Sequence, residues 1–448
     1  MKKSFVALLI GLALIILISP GIVGRLAQKS MDENLDWAAT EAEEVVVSSQ
    51  GFDRGWFSSE GQHRIEIRDG ELRELLLAYA GTDAAGKLPA LIIDTRIDHG
   101  LIPVTSMARD KGSLVPGLGS AVSTLGFEAG EEVVPLPGTI YSTVGLTGEL
   151  RSNYVLGPGS FTHEGATARW GDVDVSVTTS PSSGAVTFGG AVASFAVDSM
   201  TDDVRIEEIS FSGEQVPSGF GFRVGPVEGS IGSISIDAAP SRTSVGALDE
   251  PRTILGPITV DADSSVDGGR VSARTRLGIE NTPFQDMGNA DITLDMRIVD
   301  ADGRAIGNIK RGLENLRAPG SPDAMMSSEL EADAKDLVAA GFELHIDEAR
   351  ISLPQGLVET ELHVSVDESD PAGFSWPEAL LAMDASANIS IAEDLVRLAM
   401  AADPDVGGII GMGFLQKDGD VYVLRAEFKR GLLTVNGAPM PIPLTGLQ

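Results

Sequence analysis

Cysteine is absent, which removes thiol catalysis, disulfide scaffolds and Cys-ligated zinc or iron–sulfur sites from consideration. Histidine is scarce: His63, His99, His163, His345 and His363 are the only imidazoles, so His-based catalysis has few arrangements open to it. Cations are also short, with 33 Lys and Arg against 65 Asp and Glu and a formal net charge of −32. No basic stripe offsets that balance, which excludes a nucleic-acid partner, because a phosphate backbone needs clustered cations. The acidic residues are spread through segments such as 32–44 and 198–208, as on a solvated surface. Gly-rich phosphate loops, nucleophile elbows and HExxH motifs are missing, and the many GxS and GxG fragments follow from the 52 glycines. No catalytic residue and no cofactor is assigned from the sequence.

Long apolar runs are missing too, with one exception. Residues 4–24 are uncharged and mostly apolar, and at about 1.5 Å per residue a helix of that length crosses about 30 Å of hydrocarbon. Lys2 and Lys3 precede it, and Asp32, Glu33 and Asp36 follow it. The positive-inside rule then reads residues 1–24 as a cytoplasmic stub and transmembrane signal-anchor and places residues beyond about 30 outside the cytoplasm. The competing reading is a cleaved signal peptide, but the run exceeds the usual h-region and lacks an Ala-x-Ala site.

Beyond the anchor, the spacing of Leu26, Leu35, Ala38 and Ala42 predicts a helix within 25–44. From Phe57 the period is two: Phe57, Ser59, Gly61, His63 and Ile65 face one way, and Ser58, Glu60, Gln62 and Arg64 the other. Residues 71–80 read as a short helix and 91–100 as a strand, whereas 110–136 carry no clear pattern. A procession of short strands separated by turn signals follows to about residue 300. Helices are predicted over 306–317 and 322–341, the second begun by Pro322 and ended by Gly341. A hairpin is expected around Pro354-Gln355-Gly356, a strand at 383–391, a helix at 392–403 stopped by Pro404, and two terminal hairpins. The regions are thus 1–24, an α+β part 25–136, a β meander 137–304 and an α+β part 305–448.

A set of landmarks runs through this pattern. They are an RGxFSS element (Arg54, Gly55, Phe57, Ser58, Ser59), a strand end at His99-Gly100, Trp170-Gly171, the hairpin glycine Gly356, and a terminal series of Tyr422, Phe428, Gly431, Leu433, Val435, Asn436 and Gly437. With the N-terminal anchor, their order resembles the YdgA-like family, a bacterial domain of unknown function (family 945). The chain departs from the family's usual His-Gly-Pro, carrying His99-Gly100-Leu101-Ile102-Pro103. The resemblance implies a periplasmic, inner-membrane-anchored protein without an assigned activity, and it transfers no catalytic residue. Arg54 to Ser59 reads as a corner between two strands, with Gly51 and Gly55 supplying permissive dihedrals.

One constellation carries chemistry. Glu343-Leu344-His345 and Glu361-Leu362-His363 repeat the same tripeptide on the two arms of the predicted hairpin. Period two puts each Glu beside its His, and a turn near Gln355 brings His345 diagonally close to His363, within reach of a shared divalent ion. The spacing permits such a site without requiring it. Outward polar positions of amphipathic strands are the preferred explanation, because a zinc site should also show second-shell partners and a third firm ligand, and no metal ligand is assigned.

The fold class expected is α+β and β-dominant: the N-terminal helix, then an extended, curved antiparallel sheet with a few helices packed on one face. The alternation of Val, Ala and Phe over 185–197 suggests an apolar groove. The functional expectation is a non-enzymatic, membrane-anchored periplasmic protein that binds a lipid or an envelope protein partner. The alternative is an assembly protein that homodimerises or scaffolds an envelope complex, and a hydrolase without a recognised motif is the third reading.

Overall fold

The computed structural model describes residues 45–55, 58–67, 90–99, 118–129, 132–145, 147–163, 166–198, 202–238, 253–284, 287–317, 323–369, 375–403 and 405–440. The anchor 4–24, the helices expected at 25–44 and 71–80, and Phe57, Gly100 and Pro404 lie outside these residues. Among the described residues, no helix is long and apolar enough to cross a membrane.

Strands dominate, and every strand pair whose register is resolved is antiparallel. The chain divides into two units, one of residues up to Gly159 with Trp170–Ala191 and one of Ser160–Arg169 with Val192 onward. In the first, the strands are β1 (Val45–Arg54), β2 (Ser58–Ile67), β3 (Ala90–His99), β4 (Gly119–Ala129), β5 (Glu132–Val144) and β6 (Leu150–Leu156). After β7 (Gly159–His163) and β8 (Ala166–Trp170) comes β9 (Val173–Thr179), so the order in the sheet is β1-β2-β3-β4-β5-β6-β9. The featureless stretch 110–136 therefore holds β4 and the start of β5. Their Gly, Ser and Ala positions give little hydrophobic contrast, yet small residues suit the interior of this sheet. Ser59, His63, Thr95 and Ser123 are all buried on one face, where Thr95 and Ser123 share a 2.8 Å hydroxyl hydrogen bond.

After β10 (Val186–Asp198), the second unit contains β11 (Asp202–Pro217), β12 (Arg223–Val224), β13 (Val227–Ile231), β14 (Ser233–Ala238) and β15 (Thr253–Leu255). It continues with β16 (Ile258–Asp267), β17 (Arg270–Phe284), β18 (Gly288–Asp302), helices α1 (Gly303–Arg317) and α2 (Asp323–Ala339), β19 (Phe342–Leu353) and β20 (Gly356–Val366). Helix α3 (Trp376–Leu381), β21 (Met383–Ala392), helices α4 (Glu393–Ala402) and α5 (Asp405–Gly411), β22 (Gln416–Asp418), β23 (Val421–Lys429), β24 (Leu432–Val435) and β25 (Ala438–Met440) complete it. The long ladder runs β11-β13-β16-β17-β18-β19-β20-β21-β23-β24-β25. β11 serves several partners in turn: β14 pairs with Asp202–Glu207 and β13 with Ser210–Gly213, on either side of Glu208 at φ 57°.

Several of the most buried residues of this unit sit where helices meet strand ends. Ala301 (0% exposed) at the end of β18 and Ala305 (2%) in α1 are buried where that helix meets the strand, and Ala339 (0%) is buried at the end of α2, which packs on α1. Asp302 caps α1, its carboxylate accepting the Ala305 amide at 2.8 Å. The loop bearing Phe220 lies directly on that helix, so that a Cβ at Gly307 would fall 2.1 Å from the Phe220 carbonyl oxygen. Gly341, at φ 75°, ends α2 as the sequence expects.

Candidate functional site on the two faces of the long ladder

Directly opposed residues share a face of a sheet, so the registers assign each side chain to a side. One side is apolar across many strands. One row runs Ile231, Ile258, Ile279, Ile292, Ile351, Val358 and Ile391, and the next runs Val260, Leu277, Leu294, Ala349, Thr360, Ile389 and Leu424. None of these side chains is buried: Val260 is 37% exposed, Met296 in the adjoining row 38%, and the others are half-buried. The buried apolar residues of this unit lie around these rows: Ala290 beside Ile292 on β18, Val271, Ala301, Ala305 and Ala339 toward the helices, Val366 at the end of β20, Leu395 and Val396 of α4, and Phe428 and Val435 at the far strands. The centre of the ladder thus presents an apolar surface with solvent access rather than a sandwich interior.

The other side is charged. Asp295 accepts a hydrogen bond from the Arg274 Nε at 2.8 Å and another from the Arg276 Nε at 3.3 Å, while the Arg276 Nη1 donates to Asp261 at 3.1 Å. The Arg274 guanidinium is the main reason the Asp295 carboxyl is held below the usual carboxylate range, and burial works against it. Arg350 bridges Glu359 at 2.7 Å and Glu348 at 3.2 Å.

Within this charged face, His345 and His363 are direct cross-strand partners, with ring centroids 4.3 Å apart and planes 17° from parallel. The sequence places them on a diagonal, and the difference has an identifiable cause. The hairpin turn sets Leu353 opposite Gly356 and Ala349 opposite Thr360, but Ile346 faces Leu362, because Asp347 and Glu348 form a bulge in β19. The same bulge interrupts the register with β18 between Asp295 and Met296. It also keeps both faces consistent, since the apolar positions change parity from Leu344 and Ile346 to Ala349, Ile351 and Leu353.

The His345 Nε2 lies 2.9 Å from the Glu343 Oε2, and its Nδ1 lies 3.3 Å from the Arg297 Nη2. An arginine only donates, so Nδ1 accepts and the proton of a neutral His345 sits on Nε2, donated to Glu343. Arg297 is held in turn by Asp347, through a 2.9 Å Nε–Oδ2 ion pair and a 3.3 Å hydrogen bond from Nη2 to Oδ1. The His363 Nε2 is out of contact with water and has no hydrogen-bond partner among the described residues. Glu343, His345 and His363 offer ligand atoms that all lie within 4.8 Å of one another. Glu361 does not join them: it falls opposite the bulge, in the row of Asn388.

The landmark residues occupy turns and ladder positions. Arg54 pairs with Ser59, and the Gly55 amide donates to the Ser58 carbonyl at 2.8 Å, closing the β1–β2 connection. A Cβ at Gly55 would lie 2.6 Å from that carbonyl oxygen, so close approach rather than unusual dihedrals requires the glycine there, and Gly51 sits at a bulge. Ser58 pairs with Asp98 and His99 with Gly119. The Trp170 indole donates to the Gly157 carbonyl at 3.1 Å and covers Gly159. Gly356, at φ 142°, closes the β19–β20 turn against Ala392, and Tyr422 faces Ile391. Arg430-Gly431 and Asn436-Gly437 are two-residue hairpin turns with positive φ at both positions.

The model of the family described as bacterial protein of unknown function (DUF945) matches residues 1–443. The chain belongs to that family. The match extends over both units and includes every landmark from Arg54 to Gly437. No curated protein and no solved structure matches the chain.

Proposed function

We propose that this family member is a membrane-anchored protein of the bacterial envelope whose long ladder holds the acyl chains of a lipid against its apolar face. The observation that carries this reading is the breadth of apolar surface with solvent access, from Ile231 and Val260 across to Ile391 and Leu424. An apolar sheet face normally lies under a second layer, and burial at about 25 cal/mol per Å² rewards covering it. A flexible hydrocarbon chain meets that demand without a complementary protein surface. The apolar run 4–24 also supports the reading, since an anchor would keep the ladder near a source of lipid. The absence of recognised catalytic motifs fits a binding role.

Native mass spectrometry of the full chain, extracted in detergent from bacterial membranes, tests the proposal. The expected result is a co-purified lipid that is lost when Leu277 and Leu294, neighbours at the centre of the face, are both replaced by Asp. A clean dimer without lipid would instead favour the assembly reading, with two apolar faces covering one another. A lipid-free monomer would overturn both.

A further inference from the structure

The charged face supports a second inference, independent of the lipid reading. We infer that Glu343, His345 and His363 form a three-ligand site for a borderline divalent cation, with zinc the best fit. Two imidazoles and one carboxylate are the donor set such an ion prefers when it keeps a fourth position for water. The two histidines stand on adjacent paired strands and are direct partners, so the backbone fixes their separation. The buried, unpartnered Nε2 of His363 is a polar atom with an unmet need, which a metal bond would satisfy.

Loading requires small, definable changes. Ligand atoms of a tetrahedral zinc site stand about 3.3 Å apart for bonds of about 2.0–2.1 Å. The present atoms lie within 4.8 Å, and the Glu343–His345 pair is already at 2.9 Å. A metal lies in the plane of each imidazole, so the stacked rings must turn about their Cβ–Cγ bonds. The His345 proton must also move from Nε2 to Nδ1, leaving Nε2 free to bind. Arg297 then gives up its contact with Nδ1, and Asp347 retains it. Asp347 and Glu343 offset the Arg297 charge that would otherwise oppose a cation.

The test is zinc titration of the full chain, read by calorimetry and by ring-nitrogen NMR of the histidines. Expected are one saturable ion per chain, a shift of the His345 proton from Nε2 to Nδ1, and loss of affinity by more than about 10-fold in H345Q and in H363Q. E343Q, a change at a side chain 51% exposed, should weaken binding while leaving the melting temperature unchanged, which separates loss of a ligand from loss of fold. Unchanged ring-nitrogen signals at saturating zinc would overturn the inference. So would H363Q binding as tightly as the unaltered chain, since His63, His99 and His163 would then account for the uptake.

Discussion

His345 and His363 stack at 4.3 Å because a bulge at Asp347 and Glu348, between them and the hairpin turn, shifts the register by one residue. Without it, the pairing of Leu353 with Gly356 would carry His345 opposite Val364. A half-buried imidazole would then face the apolar side of the neighbouring strand, or the strand would turn over. The bulge thus absorbs one extra residue of β19, which keeps the apolar face apolar and the two rings opposite each other.

Deleting Asp347 should for that reason cost little more than replacing it. Asp347→Ala removes a partly exposed ion pair with Arg297 and should cost about 1 kcal/mol or less. Deletion removes the extra residue, so Leu344, Ile346, Ala349 and Ile351 alternate without a bulge and keep their face opposite both neighbouring strands. Urea denaturation of the two variants measures the difference. A deletion variant far less stable than Asp347→Ala would show that the bulge does more than absorb an extra residue.

The Arg274–Asp295–Arg276 cluster makes an acid-dependent contribution. The carboxyl of Asp295 is held low chiefly by its hydrogen bond from Arg274, so it binds a proton less readily when folded than when unfolded. Its stabilisation is therefore fully present above the ordinary aspartate range, near pH 4, and is lost as pH falls through the lower folded value. Asp295→Asn should destabilise the chain by about 1 kcal/mol at pH 7, since the arginines are 42% and 50% exposed and water partly replaces their partner. Between pH 4 and pH 2 the gap between the variant and the unaltered chain should narrow. Thermal melts at several pH values check this, and a gap that widened on acidification would reverse the assigned sign.

Much of this fold is legible in the sequence because alternation and turn chemistry agree with each other. The family landmarks, the hairpin around Pro354-Gln355, and helices α1, α2 and α4 follow from period, capping and Pro or Gly punctuation. Helix α5 does not, since Asp405–Gly411 contains three glycines and its helical state depends on its surroundings. Strands β4 and β5 are obscured by small residues that blur the contrast between faces. The Glu–His cluster is legible in composition but not in register. The repeated Glu-Leu-His offers two Glu and two His as candidate ligands, whereas the bulge sends Glu361 to another row. The change of apolar parity from Ile346 to Ala349 is the sequence signal of that bulge.

Asn436 offers the clearest separation of backbone from side-chain effects. It sits at φ 49° in the turn between β24 and β25, followed by Gly437 at φ 80°. Its Oδ1 accepts the Arg425 amide at 2.9 Å, and its Nδ2 donates to the carbonyls of Gly413 and Phe414 at 2.9 and 3.0 Å. The side chain thus ties the last hairpin to the chain that follows α5. Asn436→Gly keeps the left-handed backbone and loses three hydrogen bonds, part of which water restores, for a cost of about 1–2 kcal/mol. Asn436→Ala loses the same bonds and adds a left-handed penalty of roughly 1 kcal/mol, so it should be the less stable of the two, reversing the usual order of Ala and Gly in regular structure. Asn436→Asp keeps the acceptor and the backbone preference but sets a carboxylate against two carbonyl oxygens, so it should also fall below Asn436→Gly. Urea midpoints for the three variants give the order, and an Ala variant as stable as the Gly variant would remove the backbone term from the explanation.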